Sequence, residues 1–151
     1  MKHRLIFFYI IIAVLACAEQ AQTFVVKIRR AHDAMVVSIR VEAAITAAQQ
    51  QRGFMGRQHI PEGTGMLFIY TQDTKLQFWM KDTPHPLSIA FIDSQGRIRE
   101  IKDMAPYSLA IVPSTYAVRY ALEVPQGYFE REHITIGDVF AAETLELLHK
   151  K

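Results

Sequence analysis

Seven side chains have the types and positions to act on a small molecule: Arg52, Arg57, Trp79, Lys81, Thr83, Asp93 and Glu123. Trp79 is the only tryptophan, and Lys81 follows it just before Asp82-Thr83-Pro84-His85-Pro86. The two prolines fix φ and remove two backbone donors, so Lys81 and Thr83 stand on a stiff connection between two apolar runs. An aromatic surface, a cation and a hydroxyl held there suit the wall of a pocket for a polar or anionic ligand. The same residues also allow a plainer arrangement, in which the Lys81 stem covers Trp79 and its ammonium reaches water.

Asp93 and Glu123 each end or interrupt an apolar run, which makes them the acid and base candidates. Alternation sets Glu123 in register with Ala121, from where it can face Lys81 across a sheet. Arg52 ends a helix-forming stretch, where a cation complements the negative end of the helix dipole. Arg57 lies in a loop and has no such role. Groups of this kind are more often structural ion pairs than catalytic machinery.

Other chemistries find less in the sequence. There is no Gly-x-Ser-x-Gly, no His-Glu-x-x-His, no phosphate-binding loop and no dinucleotide fingerprint. Beyond residue 18 the histidines, His32, His59, His85, His133 and His149, are isolated from one another. Met55, His59, Met66, Met80 and His85 are types that suit copper(I), but methionines inside apolar runs ordinarily fill cores. We therefore expect no cofactor and no metal.

The elements that must position these side chains are mostly strands. Period-two runs at residues 24–28, 35–41, 66–70, 76–81, 87–93, 97–102 and 117–124 alternate with turn residues. Alanines and glutamines favour a short helix over residues 43–52, stopped by Gly53. Residues 61–65 read as a loop, 93–96 as a tight turn, 104–116 as an irregular segment and 126–132 as a turn of helix. Residues 139–148 suit a final strand and equally a tail helix. In strand 76–81, Phe78 and Met80 face one way and Gln77, Trp79 and Lys81 the other; in the next strand Leu87, Ile89 and Phe91 oppose Ser88, Ala90 and Ile92. The expected fold is mainly β within the α+β class: one compact barrel-like domain of about eight short strands with one or two short helices.

With 151 residues, 50% of them hydrophobic and 21% charged, the chain has enough apolar material for one core and too little length for a second full domain. The formal net charge is +2 and the arginines are scattered, which gives nucleic acid no basic face. Lys2 and Arg4 precede an apolar run over residues 5–16, followed by Ala16-Cys17-Ala18. That order describes an export signal over residues 1–18, because the run falls short of the roughly 18 to 20 residues that span a bilayer. Cys17, the only cysteine, stands where a bacterial lipoprotein signal would place its lipidated residue; cleavage after Ala18 by the ordinary peptidase also fits. No internal disulfide can form, so packing alone must hold the fold. We divide the chain into the signal, a strand and turn over residues 19–34 and a β-rich domain over residues 35–151.

Several spaced elements carry a resemblance: RGFMGR at residues 52–57, GMLF at 65–68, FWMKDT with Pro86-Leu87, FID followed by Gly96, Pro106-Tyr107-Ser108, ALEVPQG at 121–127 and Ile136-Gly137-Asp138. In this order they resemble the family called domain of unknown function 192, over roughly residues 36–139. The resemblance implies a single β-rich domain of an often exported bacterial or archaeal protein, and it supplies no reaction; because its motif places the lysine at a strand end beside the tryptophan, it favours an inward-facing Lys81 over a solvated one. That family usually has Asn-Thr after the lysine, Asp after Pro-Leu and Gly-Leu-Met early on; this chain has Asp82, Ser88 and Gly53-Phe54-Met55.

The expected function is an exported binding or accessory domain of the periplasm or cell envelope. It would act as a monomer on a small polar or anionic ligand or an envelope partner, with the membrane involved only through the signal or a lipid anchor. A hydrolase or transferase built on the Arg, Lys, Glu and Asp cluster is the second class, and a purely structural envelope protein the third.

Overall fold

The computed structural model describes residues 22–150, so the expected export signal and Cys17 lie outside the described residues. In chain order the elements are β1 (Thr23–Arg29), β2 (Val36–Ala44), α1 (Ala47–Arg52), β3 (Thr64–Thr74), β4 (Gln77–Phe78), β5 (Leu87–Ile92), β6 (Ile98–Met104), β7 (Val112–Pro113), β8 (Val118–Pro125), α2 (Tyr128–Arg131), β9 (Val139–Phe140) and α3 (Ala142–His149). Seven strands form one sheet in the order β6-β5-β8-β3-β2-β1-β9, and β4 pairs with β7 in a second, two-stranded sheet. The expected β-rich, barrel-like domain is what the chain forms.

Curling of the large sheet follows from its two ends. Arg97, just before β6, bridges Val139 of β9. Around that bridge the Ile98 N–H donates to the Asp138 carbonyl at 2.9 Å and the Phe140 N–H to the Gly96 carbonyl at 2.8 Å. One face of the sheet is therefore turned inward. Val26, Ile28, Ile39, Val41, Leu67, Ala90, Ile92, Ile98, Tyr120, Leu122, Val124 and Phe140, drawn from all seven strands, make one core there. Burying that apolar surface is the main driving force for the curl.

The other face is covered as well, chiefly over the half of the sheet that runs from β6 to β3. Met66 and Phe68 of β3, Leu87, Ile89 and Phe91 of β5, Met104 of β6 and Ala121 of β8 pack there with Phe54, Leu76, Phe78 and Met80. Phe78 holds this second layer, its ring centroid 4.9 Å from that of Phe68 and 5.9 Å from that of Phe91. The period-two division expected for β5 is met in full, with Leu87, Ile89 and Phe91 in one core and Ala90 and Ile92 in the other. Such strands read as unbroken apolar runs because both faces are dry.

Several boundaries differ from those expected, each for a local reason. Ala43 and Ala44 end β2 instead of starting the helix, because Thr46 is the N-cap: its hydroxyl accepts from the Gln49 N–H at 3.3 Å, and the Gln49 side chain accepts from the Thr46 N–H at 3.0 Å. This reciprocal pair fixes the first turn. The strand expected over residues 76–81 stops at Phe78. Beyond it the Met80 N–H turns to the Ser108 carbonyl, the Thr83 N–H donates to the Met80 carbonyl, and Asp82 takes a φ of 52°. Aspartate tolerates that left-handed conformation better than most residues. Residues 112–113 of the expected irregular segment pair with β4, and residues 139–148 divide into the two-residue β9 and the helix α3.

Candidate functional site

Where α1, β3, β4 and β8 converge, a cavity of about 120 Å³ opens at the surface. Its walls include Arg52, Phe54 and Met55 at the end of α1, Tyr70 of β3, Phe78, Trp79 and Met80 on and after β4, Thr83, and Glu123 of β8, with the amides of Gln50, Gln51 and Gln77 also lining it. Trp79, 40% exposed, stands at the solvent side. Glu123, 4% exposed, lies at the inner end.

Position on β8 explains why a glutamate is there at all. Glu123 lies opposite Met66 of β3 on one side and Ile89 of β5 on the other, and alternation gives it the same face as Ala121. Most of that face is closed by the second layer, but the chain turns aside at Gly53, which takes a φ of 47° after the last turn of α1. A Cβ at Gly53 would sit 3.5 Å from Phe68 Cζ and 3.9 Å from Glu123 Oε2, so the backbone passes directly over the carboxyl. Among the described residues no side chain or backbone group donates a hydrogen bond to it, and no cation pairs with it. Burial alone pushes its pKa up to about 8. An ionised carboxylate without a partner in such a place is costly, and the proton is held instead.

Tyr70 has its pKa pushed up to about 12, by burial first and then by the Glu123 charge. It is therefore a neutral hydrogen-bonding group at any ordinary pH. Arg52, in the last turn of α1, is exposed and has no ion-pair partner among the described residues. At the cavity it offers an exposed cation, and the helix-end role also fits it. Thr83 is 4% exposed, and its hydroxyl donates to the Lys81 carbonyl at 3.1 Å while its own carbonyl accepts from the Tyr107 N–H at 3.0 Å. Thr83 is thus a clamp between two loops as well as a wall.

The remaining candidates stand elsewhere. Lys81 does not turn inward to Glu123: it rides the outside of the 80–83 turn, exposed, with Nζ 5.6 Å from the centre of the Trp79 ring. That is the plainer arrangement of stem over aromatic. Arg57 pairs with Glu42 of β2 and lies 5.9 Å from the Phe54 ring centre, which places it on the flank of the cavity. Asp93 belongs to the turn before β6, where its carboxylate accepts from the N–H groups of Gln95 and Arg97 at 3.1 and 2.9 Å and pairs with Arg99 at 3.3 Å. Arg52, Trp79, Thr83 and Glu123 are brought together; Arg57, Lys81 and Asp93 are not.

Sequence reasoning did not single out Phe54, Met55, Tyr70 and Phe78 for the cavity. For Phe54 and Met55 the signal was present in the RGFMGR segment, between two glycines of positive φ. Met66 and Met80 are buried in the core, as methionines within apolar runs usually are. Where the resembled family has an aspartate, Ser88 donates to Asp103 Oδ1 at 2.6 Å across the β5–β6 pair. A carboxylate therefore still serves that corner, carried by the neighbouring strand.

Comparison with known proteins adds a lineage and no reaction. The model of domain of unknown function 192, described as "Uncharacterized ACR", matches residues 27–142. A crystal structure from Sinorhizobium meliloti 1021, described as a "putative transcription regulator", is 32% identical over 80% of this chain and 94% of its own, with a TM-score of 0.77. A crystal structure of a protein of unknown function from Novosphingobium aromaticivorans DSM 12444 is 27% identical over 83% of this chain and 89% of its own, with a TM-score of 0.76. No curated protein matches.

Proposed function

Because the chain belongs to the domain of unknown function 192 family, for which no activity is known, we propose from the cavity itself that it is a monomeric binding or accessory domain for a small polar ligand. Glu123 is the observation that carries this: a carboxyl 4% exposed, with no partner among the described residues, at the inner end of an open cavity. Unpaired buried polar groups are rare in native cores, and a ligand that bonds to this one would remove its cost. Trp79 at the mouth and Arg52 beside it supply an aromatic lid and a polar rim, the usual make-up of a small-molecule site. A larger groove of about 490 Å³ beside the end of α3 has no carboxylate in its walls and makes a weaker claim.

A hydrolase or transferase is the second reading, favoured by Glu123 alone, since a carboxyl titrating near 8 suits a general acid. Against it, the one hydroxyl of a threonine in the cavity, that of Thr83, is already donated to the Lys81 carbonyl. The regulator role named for the Sinorhizobium structure finds no support on this surface. The longest described helix has 8 residues, and Arg57, Arg99, Arg119 and Arg131 are tied to carboxylates instead of forming a basic face.

Export to the periplasm or envelope is part of the proposal and rests on the basic start, apolar run and Cys17 of the sequence. No helix among the described residues is long and apolar enough to cross a membrane. Tyr107, Leu109 and Ile111, exposed beside β4, support an envelope partner as an addition to the ligand. Intact mass of protein recovered from membranes decides the anchor: a chain beginning at an acylated Cys17 is expected, and an unmodified chain beginning at Glu19 would rule lipidation out. Binding is decided by titrating Trp79 fluorescence with small polar compounds. A saturable change that Glu123→Gln abolishes is expected, and a response identical in both proteins would contradict the proposal.

A further inference from the structure

We infer that the ligand presents a small organic ammonium group, its charge set against the Glu123 carboxylate and its carbon skeleton against Phe54, Phe78 and Trp79. This rests on the proposal that the cavity is a ligand site, and it names the chemistry the cavity selects. The inner end holds a carboxyl and no cation, because Lys81 points outward and Arg57 is committed to Glu42. Among the described residues the Glu123 carboxyl makes no hydrogen bond or ion pair. An ammonium brings both the missing counter-charge and up to three donors, which is what an isolated carboxylate lacks. An anion would gain no counter-charge from the protonated carboxyl and would meet like charge as soon as it ionised.

The walls point the same way. Phe54, Tyr70, Phe78 and Trp79 surround the cavity, and the faces of aromatic rings attract cations, more strongly where water is excluded. Size limits the guest. A cavity of about 120 Å³ equals roughly four water volumes at about 30 Å³ each, so it takes a group of a few heavy atoms, a short alkylammonium or the tip of a longer amine.

Other groups facing the Glu123 carboxyl are few. Tyr70 on β3 stays neutral, Arg52 at the end of α1 is the cation of the walls, Gln50 and Gln51 of α1 and Gln77 of β4 add uncharged amides, and Phe78 and Leu87 are apolar. Folded and empty at neutral pH, the carboxyl carries its proton, since burial raises its pKa to about 8. An incoming ammonium needs the ionised form, so binding forms the ammonium–carboxylate pair and releases one proton to the buffer. A neutral amide or alcohol needs no such release.

Calorimetric titration of the full chain with propylammonium, propionamide and propionate, run in two buffers of different ionisation enthalpy, tests the inference. Propylammonium is expected to bind most tightly above about pH 8 and, well below that value, to weaken about tenfold for each pH unit, with close to one proton released there. Glu123→Gln should weaken it about tenfold or more and remove the pH dependence, while Arg52→Ala, which removes a like charge at the mouth, should strengthen it. Tighter binding of propionamide or propionate, or propylammonium affinity indifferent to both substitutions, would overturn the ammonium assignment while leaving a ligand cavity. Absence of heat and of any Trp79 fluorescence change with all three compounds would overturn the cavity as a site along with it.

Discussion

Tyr70 of β3 and Glu123 of β8 share one cavity, and the Glu123 charge adds to burial in pushing the Tyr70 phenol up to about 12. Neither has a basic group to offset it, and the effect on stability is directional. The Glu123 carboxyl has an ordinary value of 4.5 and titrates at about 8 in the folded chain. Between those values the folded state holds a proton that the unfolded state has lost. Stability is therefore highest below about pH 4.5 as far as this group is concerned, falls as pH rises, and stops falling above about pH 8. The loss is of the order of a few kcal/mol. Thermal melts from pH 5 to 9 should show the decline in the native sequence and a flatter profile in Glu123→Gln; parallel profiles would mean that Glu123 is not buried as an acid.

Lys81→Met should leave stability within about 1 kcal/mol, because Nζ reaches solvent over Trp79 and serves no buried carboxylate. Paired with Glu123→Gln in a double-mutant cycle, the two changes should add to within about 0.5 kcal/mol. A coupling of about 3 kcal/mol or more, measured by denaturant midpoints, would instead place the two side chains in contact.

Asp138 holds the closure of the curled sheet. It is fully buried, its Oδ1 accepting from the Ala31 N–H and its Oδ2 from the Thr135 N–H, both at 2.7 Å, while its carbonyl accepts from Ile98. Asp138→Ala strands two backbone donors and should cost about 2 to 4 kcal/mol, with faster amide exchange at Ala31 and Thr135. Asp138→Asn keeps one acceptor and should fall between. Equal protection in all three proteins would show that β9 is held by other means.

Much of the architecture was legible because the signals are local. Alternation in residues 87–92 predicts the two dry faces of β5, and a mainly β single domain follows from the run of short apolar segments. Thr46-Ala47-Ala48-Gln49 also spelled a helix start, yet the alanines on either side pull a propensity-based boundary back to residue 43. The two-residue β4 and β7 were not legible as such, since their pairing brings together residues 77–78 and 112–113, and no local pattern encodes contacts that distant. The candidate site was half legible for the same reason. Trp79 and Glu123 stand out by type, but whether Lys81 faces Glu123 depends on where the strand ends, and that is set by the Met80 N–H bonding to Ser108 far along the chain. Tyr70 looked like one more strand residue, and the cavity it shares with Glu123 is walled by Phe54, Phe78 and Trp79 from distant stretches of the chain.

Chemical-shift mapping with propylammonium tests most directly whether the cavity over Glu123 is a binding site. Amide and indole resonances of Arg52, Phe54, Met55, Tyr70, Trp79, Thr83 and Glu123 should move together and saturate at one dissociation constant, with the rest of the chain nearly still. Shifts confined to the groove beside α3, around Ile69, Tyr120 and Leu148, or scattered without saturation, would contradict it.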